Sequence, residues 1–368
     1  MTDFNPDSLT LARERRGMTK EGLASACGVS RRAVTDWEAG RVDNPPLERI
    51  SQVLDFPIDF FLGEGLPELS ERSVSFRALS SLGARQTRRV LSSARLAQTF
   101  SSWMDREYDT PHPDLPAISD LVPHFSVDDP DPTASATALR RLWNLSDRPI
   151  ADMLALVESH GARVFSLQPG DHEVDAFSFW GEGRPYIFLN PDKSAERLRF
   201  DLAHELGHLC MHQDISTAGQ KIFEVQANQF ASDLLMPATG VQASIRGQLS
   251  LADVMTLKKL WKVSAAAMVK RLHQLRYISD WQYRSWFIEL TKRGYRTSEP
   301  HGIAHEQSSL LKQVLAMARE DGWRLNKICN VLRLPEDELT YALAGLVVLP
   351  MQGGGAQRPR LEGHLRAV

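Results

Sequence analysis

The sequence predicts an α+β protein that is mostly helical. It should have an N-terminal bundle of short helices, a central region with a small antiparallel sheet beside one long helix, and a helical C-terminal region. Three observations carry this. Apolar residues recur at helical spacing through 8–62 and again through 241–349. The runs ARVFSL, VDAFSFW and RPYIFL, between 162 and 189, read as strands. Pro169-Gly170-Asp171 and Gly181-Glu182-Gly183 stand between them as turns. Then comes 196–212, ERLRFDLAHELGHLCMH, with Leu198, Leu202, Leu206 and Leu209 at helical spacing behind start signals at Pro191 and Ser194.

Taken in order, Ser8–Arg16 reads as a helix ended by Gly17, and Thr19 caps a second that carries Leu23 and Ala24. Gly28 makes a turn, Val29 packs inward, and Ser30 caps a third helix, RRAVTDWEAG. Pro46 opens a fourth with Leu47, Ile50, Val53 and Leu54 apolar. Short helices with a Gly turn between the second and third suit a helix-turn-helix. The run TKEGLASACGVSRRAVTDWEAGR resembles phage-repressor-like (XRE-type) DNA-binding domains. The resemblance implies that the third helix enters the major groove of double-stranded DNA, presenting Arg31, Arg32, Thr35 and Asp36. Lys20, Ser30 and Arg41 would hold phosphates or caps, while Ala33, Val34 and Trp37 face inward. Lys20 stands where many relatives have Gln, which moves that contact from base toward phosphate. The other reading of this segment is a fold kept only for protein contact, a homodimer included.

Within 196–212, His204-Glu205-Leu206-Gly207-His208 is an HExxH motif. On a helix the two imidazoles fall one turn apart on one face, where both can bind one Zn²⁺ with Glu205 beside them as general base. A catalytic zinc site needs a third protein ligand and an open position. Residues 216–237, STAGQKIFEVQANQFASDLLMP, read as a second helix stopped by Pro237, and Glu224 on it is the third-ligand candidate. Together, HELGHLCMH and E-x-Q-A-N-Q-F-A-S-D-L-L-M-P resemble the ImmA/IrrE-type metallo-endopeptidases. The resemblance implies a zincin-like central domain and makes the carboxylate before the Ala-Asn pair a zinc ligand. Gln226 sits where relatives often carry a second Glu, which leaves Glu224 as the acidic candidate. His212, one turn past His208, is a rival ligand or a pocket group behind the ligands; Asn228 is a supporting or helix-packing residue, and Asp201 a further acceptor. His212 and Tyr186 are the two candidates for an oxyanion partner.

The remaining segments organise around these two. We divide the chain into 1–63, the helix-turn-helix domain; 64–133, a basic connector and Pro/Asp-rich linker; 134–240, the zinc metallopeptidase-like domain; 241–350, a helical C-terminal domain; and 351–368, a disordered tail. The connector carries Arg72, Arg77, Arg85, Arg88, Arg89 and Arg95 with Glu71 the sole acid among them, either a phosphate-contacting arm or a solvated helix face. Between Tyr108 and Pro132 the chain is rich in Pro and Asp, extended and poorly helical. Near the C-terminus, WQYRSWFIEL (281–290) has the aromatic mass of a core or a partner surface.

Composition sets limits. Apolar content of 42% and charge of 24% are those of a soluble globular chain, and no run of about 18 apolar residues indicates a membrane span. MTDFNPDSLT has no signal-peptide core, so a cytoplasmic protein is expected. Cys27, Cys210 and Cys329 are too far apart for a zinc ribbon. A net charge of −3 gives no general affinity for nucleic acid, so DNA binding must come from a local patch. The two resemblances together imply a DNA-binding regulator with a zinc metallo-endopeptidase domain that cleaves a repressor protein in a stress or DNA-damage response. Self-cleavage within 108–132 is the less favoured target. The alternative is a non-catalytic regulator whose zincin-like domain senses a ligand, a protein or single-stranded DNA.

Overall fold

The computed structural model describes residues 3–63, 65–67, 69, 82–117, 120, 131–168, 171, 173–212, 220–295 and 299–348. The tail expected over 351–368, with Glu71, Arg72 and Arg77, lies outside them. No described helix is long and apolar enough to cross a membrane.

The N-terminal bundle comprises α1 (Pro6–Arg15), α2 (Lys20–Cys27), α3 (Arg31–Glu38) and α4 (Leu47–Leu54), then a short 3-10 turn at Ile58–Phe61. Local chemistry sets each boundary. Asn5 accepts from the backbone N–H groups of Asp7 and Ser8, Thr19 from Gly22, and Ser30 from Ala33. Gly28 ends α2 at φ 73°, where a side chain would be strained. The inward faces meet in a small core of Leu9, Leu23, Val34, Trp37, Ile50, Leu54, Phe56, Phe60 and Phe61.

α5 (Ala84–Glu107) is a helix of 24 residues, about 36 Å at 1.5 Å per residue. It falls in the stretch read from sequence as a connector, yet its length links two cores. Leu96 completes the N-terminal core, while Val90, Ala94, Phe100, Trp103 and Met104 are buried in the larger one. Arg89 pairs with Asp171 and Arg95 with Asp7, fixing the helix at both sides.

The larger core begins with α6 (Pro132–Leu142) and α7 (Met153–Ser159), followed by β1 (Arg163–Ser166), β2 (Ala176–Gly181) and β3 (Arg184–Leu189). Strand order is β1-β3-β2. β2 and β3 form the expected antiparallel hairpin, closed at Glu182 and Gly183, both at positive φ, as a tight two-residue turn requires. The expectation of a wholly antiparallel sheet is corrected, because β1 runs parallel to β3 and the sheet is mixed. β2 lies one strand-width beyond the slot beside β1. The hairpin then returns β3 into that slot, in the direction of β1.

α8 (Ala195–Met211) carries the HExxH motif and lies on this sheet, with Trp180 Nε1 donating to the Leu209 carbonyl at 3.1 Å. α9 (Gln220–Leu235) crosses it at close range: a Cβ added at Gly207 would lie 2.9 Å from the Phe230 ring. The C-terminal helices are α10 (Ala238–Ser244), α11 (Leu251–Trp261), α12 (Ala265–Gln274), α13 (Asp280–Lys292), α14 (Ser309–Glu320), α15 (Leu325–Leu332) and α16 (Glu336–Leu343). Their apolar faces share the larger core, and buried ion pairs join them to the centre: Lys258 to Glu196 and Glu299, Arg199 to Glu306, Arg271 to Asp233.

The N-terminal bundle is clamped to the end of the chain. Arg15 Nε donates to Glu338 at 2.8 Å, with both side chains 2% exposed, and Arg16 reaches Asp337 and Glu338 at 3.0 and 3.1 Å. Arg333 donates to the Leu62 carbonyl at 2.7 Å, and Leu334 enters the small core.

Candidate metal centre and DNA-facing surface

Ser194 caps α8 by accepting from the Arg197 N–H, and the apolar face of Leu202, Leu206 and Leu209 is buried against the sheet and α9. This turns His204 and His208 toward α9, where Glu224 meets them. His204 Nε2 lies 3.3 Å from Glu224 Oε2, His208 Nε2 lies 3.2 Å from Glu224 Oε1, and the two Nε2 atoms are 3.1 Å apart. Among the described residues this is the group of three that could hold a metal ion. Two imidazole nitrogens and a carboxylate facing one point bring lone pairs together, a cost relieved by a cation between them. Tetrahedral zinc with ligands at about 2.0–2.1 Å has neighbouring donors about 3.3 Å apart, which these distances match. The residues therefore fit zinc.

Electrostatics agree. Burial works to raise the Glu224 pKa, but the hydrogen bonds from His204 and His208 outweigh it and hold the carboxylate well below its usual range. Burial works to lower that of His204, while the Glu224 hydrogen bond and the Glu205 and Glu224 charges raise it above its usual value.

Behind the ligands lies a chain of hydrogen bonds. His212 Nε2 is 3.1 Å from Gln226 Oε1, and His212 Nδ1 is 2.9 Å from His208 Nδ1. Burial, reinforced by the His208 charge, pushes His212 down to about 3, so its ring is neutral. A carbonyl oxygen only accepts, so His212 carries its proton on Nε2 and leaves Nδ1 as acceptor. With a metal in place of the Nε2 proton, His208 would donate from Nδ1 to His212 and present its Nε2 lone pair to the ion. Gln226 thus lies two hydrogen bonds behind His208, and His212 lies outside the group of His204, His208 and Glu224. Asn228 does not reach the centre; its Nδ2 donates to the Glu224 carbonyl at 2.7 Å, holding that turn of α9.

Glu205 is 4% exposed and accepts from Ser178 Oγ at 2.6 Å. The sequence reading missed Ser178. Its signal is a lone polar residue between Phe177 and Phe179, on the opposite phase of a strand whose next helix bears the motif. The same alternation removes Tyr186 as an oxyanion candidate. Ser178 faces α8, so Phe179 faces away, and Tyr186 stands opposite Phe179 in register with its ring stacked at 5.1 Å. Asp201 pairs with Arg197 at 2.9 Å, and burial raises its pKa to about 6.

On the N-terminal bundle, Arg31 and Arg32 stand exposed at the start of α3, while Val34 and Trp37 are buried as expected. Thr35 Oγ1 donates back to the Arg31 carbonyl at 3.0 Å. Ser30 is spent as a cap. Lys20 pairs with Glu38 at 2.9 Å and Arg41 with Asp36 at 2.8 Å, so these two cations are positioned by acids before any DNA arrives.

The described fold joins a helix-turn-helix bundle to a domain built like a metallopeptidase around the His204–His208–Glu224 group. Comparison with known proteins agrees. Residues 9–61 match the helix-turn-helix family model, and residues 157–273 match the family described as the IrrE N-terminal-like domain, peptidase M78. An uncharacterized immunity region protein 2 of Bacillus phage phi105 is 30% identical over 91 residues, 23% of this chain and 58% of that protein. The chain thus spans little more than half the length of this curated relative.

Proposed function

We propose that the chain is a transcription regulator whose zinc-dependent peptidase domain cleaves a repressor protein, with stress or DNA damage as the trigger. The observation that carries this is the joint placement of His204, His208 and Glu224 around one point with Glu205 held beside them by Ser178. A metal-binding scaffold alone has no use for a buried, positioned carboxylate next to its ligands.

Zinc held by His204, His208 and Glu224 would supply a Lewis acid that polarises the scissile carbonyl and lowers the pKa of water to about 7. Glu205 accepts the proton of the attacking water and delivers it to the leaving amine. The Ser178 hydroxyl fixes the Glu205 rotamer by donating to Oε2. β2 lies at the edge of the sheet on the motif-bearing helix, which suits it to hold an extended substrate by strand addition. Arg31, Arg32 and Thr35 read bases in the major groove, with Lys20, Arg41 and the Ser30 cap fixing position on the backbone. We assign the activity to the cytoplasm, on operator DNA, and a homodimer is compatible with paired half-sites.

The test is co-expression of the parent or Glu205→Gln with the repressor encoded beside it, under DNA-damaging and quiet conditions, followed by mass spectrometry. Glu205→Gln should keep about one zinc per chain and its fold but yield no fragment. If it alters transcription as the parent does and no fragment appears from either, the domain senses and does not cut.

A further inference from the structure

α5 begins beside the helix-turn-helix bundle. The space between them is a cleft of about 610 Å³. Arg13, Thr19, Lys20 and Arg31 line it from the bundle, and Arg85 and Arg88 from α5, with Glu14 and Glu21 the acids. Five cations against two carboxylates give this wall a sign opposite to the chain's net −3. Arg13 and Lys20 are held by Glu38, whereas Arg31, Arg85 and Arg88 are exposed.

The position of the cleft identifies its occupant. Thr19 and Lys20 open α2, the helix that crosses the sugar-phosphate backbone when such a bundle docks on DNA, and Arg31 opens α3, whose first residues enter the groove beside it. Arg85 and Arg88 are three residues apart and so share one face of α5. That face is rigidly placed: the next turns of α5 are buried through Val90, Leu91 and Ala94, and Glu14 holds the Arg88 guanidinium at 3.1 Å. A cationic rim continuous with the recognition helix complements a polyanion that runs past it.

We propose that Arg85 and Arg88 grip the phosphate backbone of the same duplex that α3 reads, so that the DNA-binding surface extends from the helix-turn-helix bundle onto α5. This rests on the DNA-binding reading above and adds residues beyond 9–61. Phosphate contacts carry no base information, so they should raise affinity for every sequence alike.

The experiment is a fluorescence-anisotropy titration of the full chain over a salt series. The probes are a duplex from the protein's own promoter region and a scrambled duplex of equal length. Arg85→Ala with Arg88→Ala should weaken both duplexes by the same factor. It should also flatten the slope of log K against log salt by about 1.8, two contacts at about 0.9 each. Arg85→Lys with Arg88→Lys should keep the slope. Arg31→Ala with Arg32→Ala should instead erase the difference between the two duplexes. Arg85→Glu alone, on the exposed rim, repeats the test if the double alanine variant fails to fold. An unchanged slope and affinity in a parent-like background overturns the inference and leaves the recognition helix standing. A parent that binds neither duplex overturns both.

Discussion

In the proposed zinc site Gln226 is no ligand, but through His212 its amide oxygen would set which nitrogen of His208 is free to bind the metal. Supporting groups of this kind typically cost 10–100-fold in metal affinity when removed. Gln226→Ala should therefore weaken zinc binding by about tenfold or more in a chelator competition, while His208→Ala and Glu224→Ala should abolish stoichiometric binding. Glu205→Gln should bind zinc as the parent does. Parent-like affinity in Gln226→Ala would show that His208 keeps its tautomer without the relay. At this scale the sequence was half legible. The HExxH spacing places two imidazoles on one helical face without any tertiary knowledge, and Glu224 follows from the need for a third ligand. Ser178, and the use made of Gln226, depend on β2 and α9 arriving beside α8, which no local spacing encodes. Tyr186 shows the converse error: a plausible residue type on a nearby strand, but on the wrong face.

At the scale of elements, Gly207 sets how closely α8 and α9 approach. A methyl there would lie 2.9 Å from Phe230 Cδ1, against a ring that is fully buried. Gly207→Ala should cost about 1–3 kcal/mol, the usual range for overpacking. It should also loosen zinc by moving Glu224 away from the histidines. Thermal melts with and without zinc would show both, and Phe230→Leu in the same chain should restore part of each. If the melt shifts but zinc affinity does not, helix spacing is not what positions Glu224. A second element contact is sensitive to pH. Glu158 on α7 accepts from Ser308 Oγ and the Leu310 N–H at the start of α14, and burial raises its pKa from 4.5 to about 6. Between those values the folded protein binds more protons than the unfolded chain, so stability falls as pH rises through that window and is level above it. The change is about 2 kcal/mol at 1.36 kcal/mol per pKa unit. Denaturant titrations from pH 4.5 to 7 should show this slope in the parent and a shallower one in Glu158→Gln, where Asp201, also raised to about 6, still titrates. Equal slopes would exclude Glu158 as its source. Helix boundaries were legible where caps are local: Thr19, Ser30 and Ser194 all cap as their residue types suggest, whereas the first helix starts at Pro6 behind Asn5 and not at the expected Ser8. The parallel pairing of β1 was not, because it follows from β3 lying between β1 and β2, an order no local residue pattern sets.

At the scale of the molecule, Arg15 and Glu338 join chain ends 323 residues apart. Glu338→Ala would strand the buried Arg15, while Arg16 keeps Asp337, and should cost about 3–5 kcal/mol. Replacing both partners by Met at 15 and Leu at 338 should cost far less, since no charge is then left alone. Hydrogen exchange at α1 reports the clamp directly: faster exchange is expected in Glu338→Ala, and exchange equal to the parent's would mean the bundle is held by Leu96 and Leu334 instead. Sequence reading separated the bundle from the rest because 108–132 has the composition of a linker. The true join lies elsewhere, in a helix whose two halves serve two cores, and composition alone cannot show a helix being shared.

That sharing changes what a cut could accomplish. Scission anywhere between Tyr108 and Pro132 would leave the N-terminal fragment ending in α5, whose Phe100, Trp103 and Met104 are embedded in the other fragment's interior. The nicked protein would run as two bands in detergent and elute as one particle under native conditions. Its half holding the recognition helix would stay where it was, as two halves of a split protein stay assembled. Self-cleavage there could mark the molecule as spent, but it could not by itself remove it from an operator.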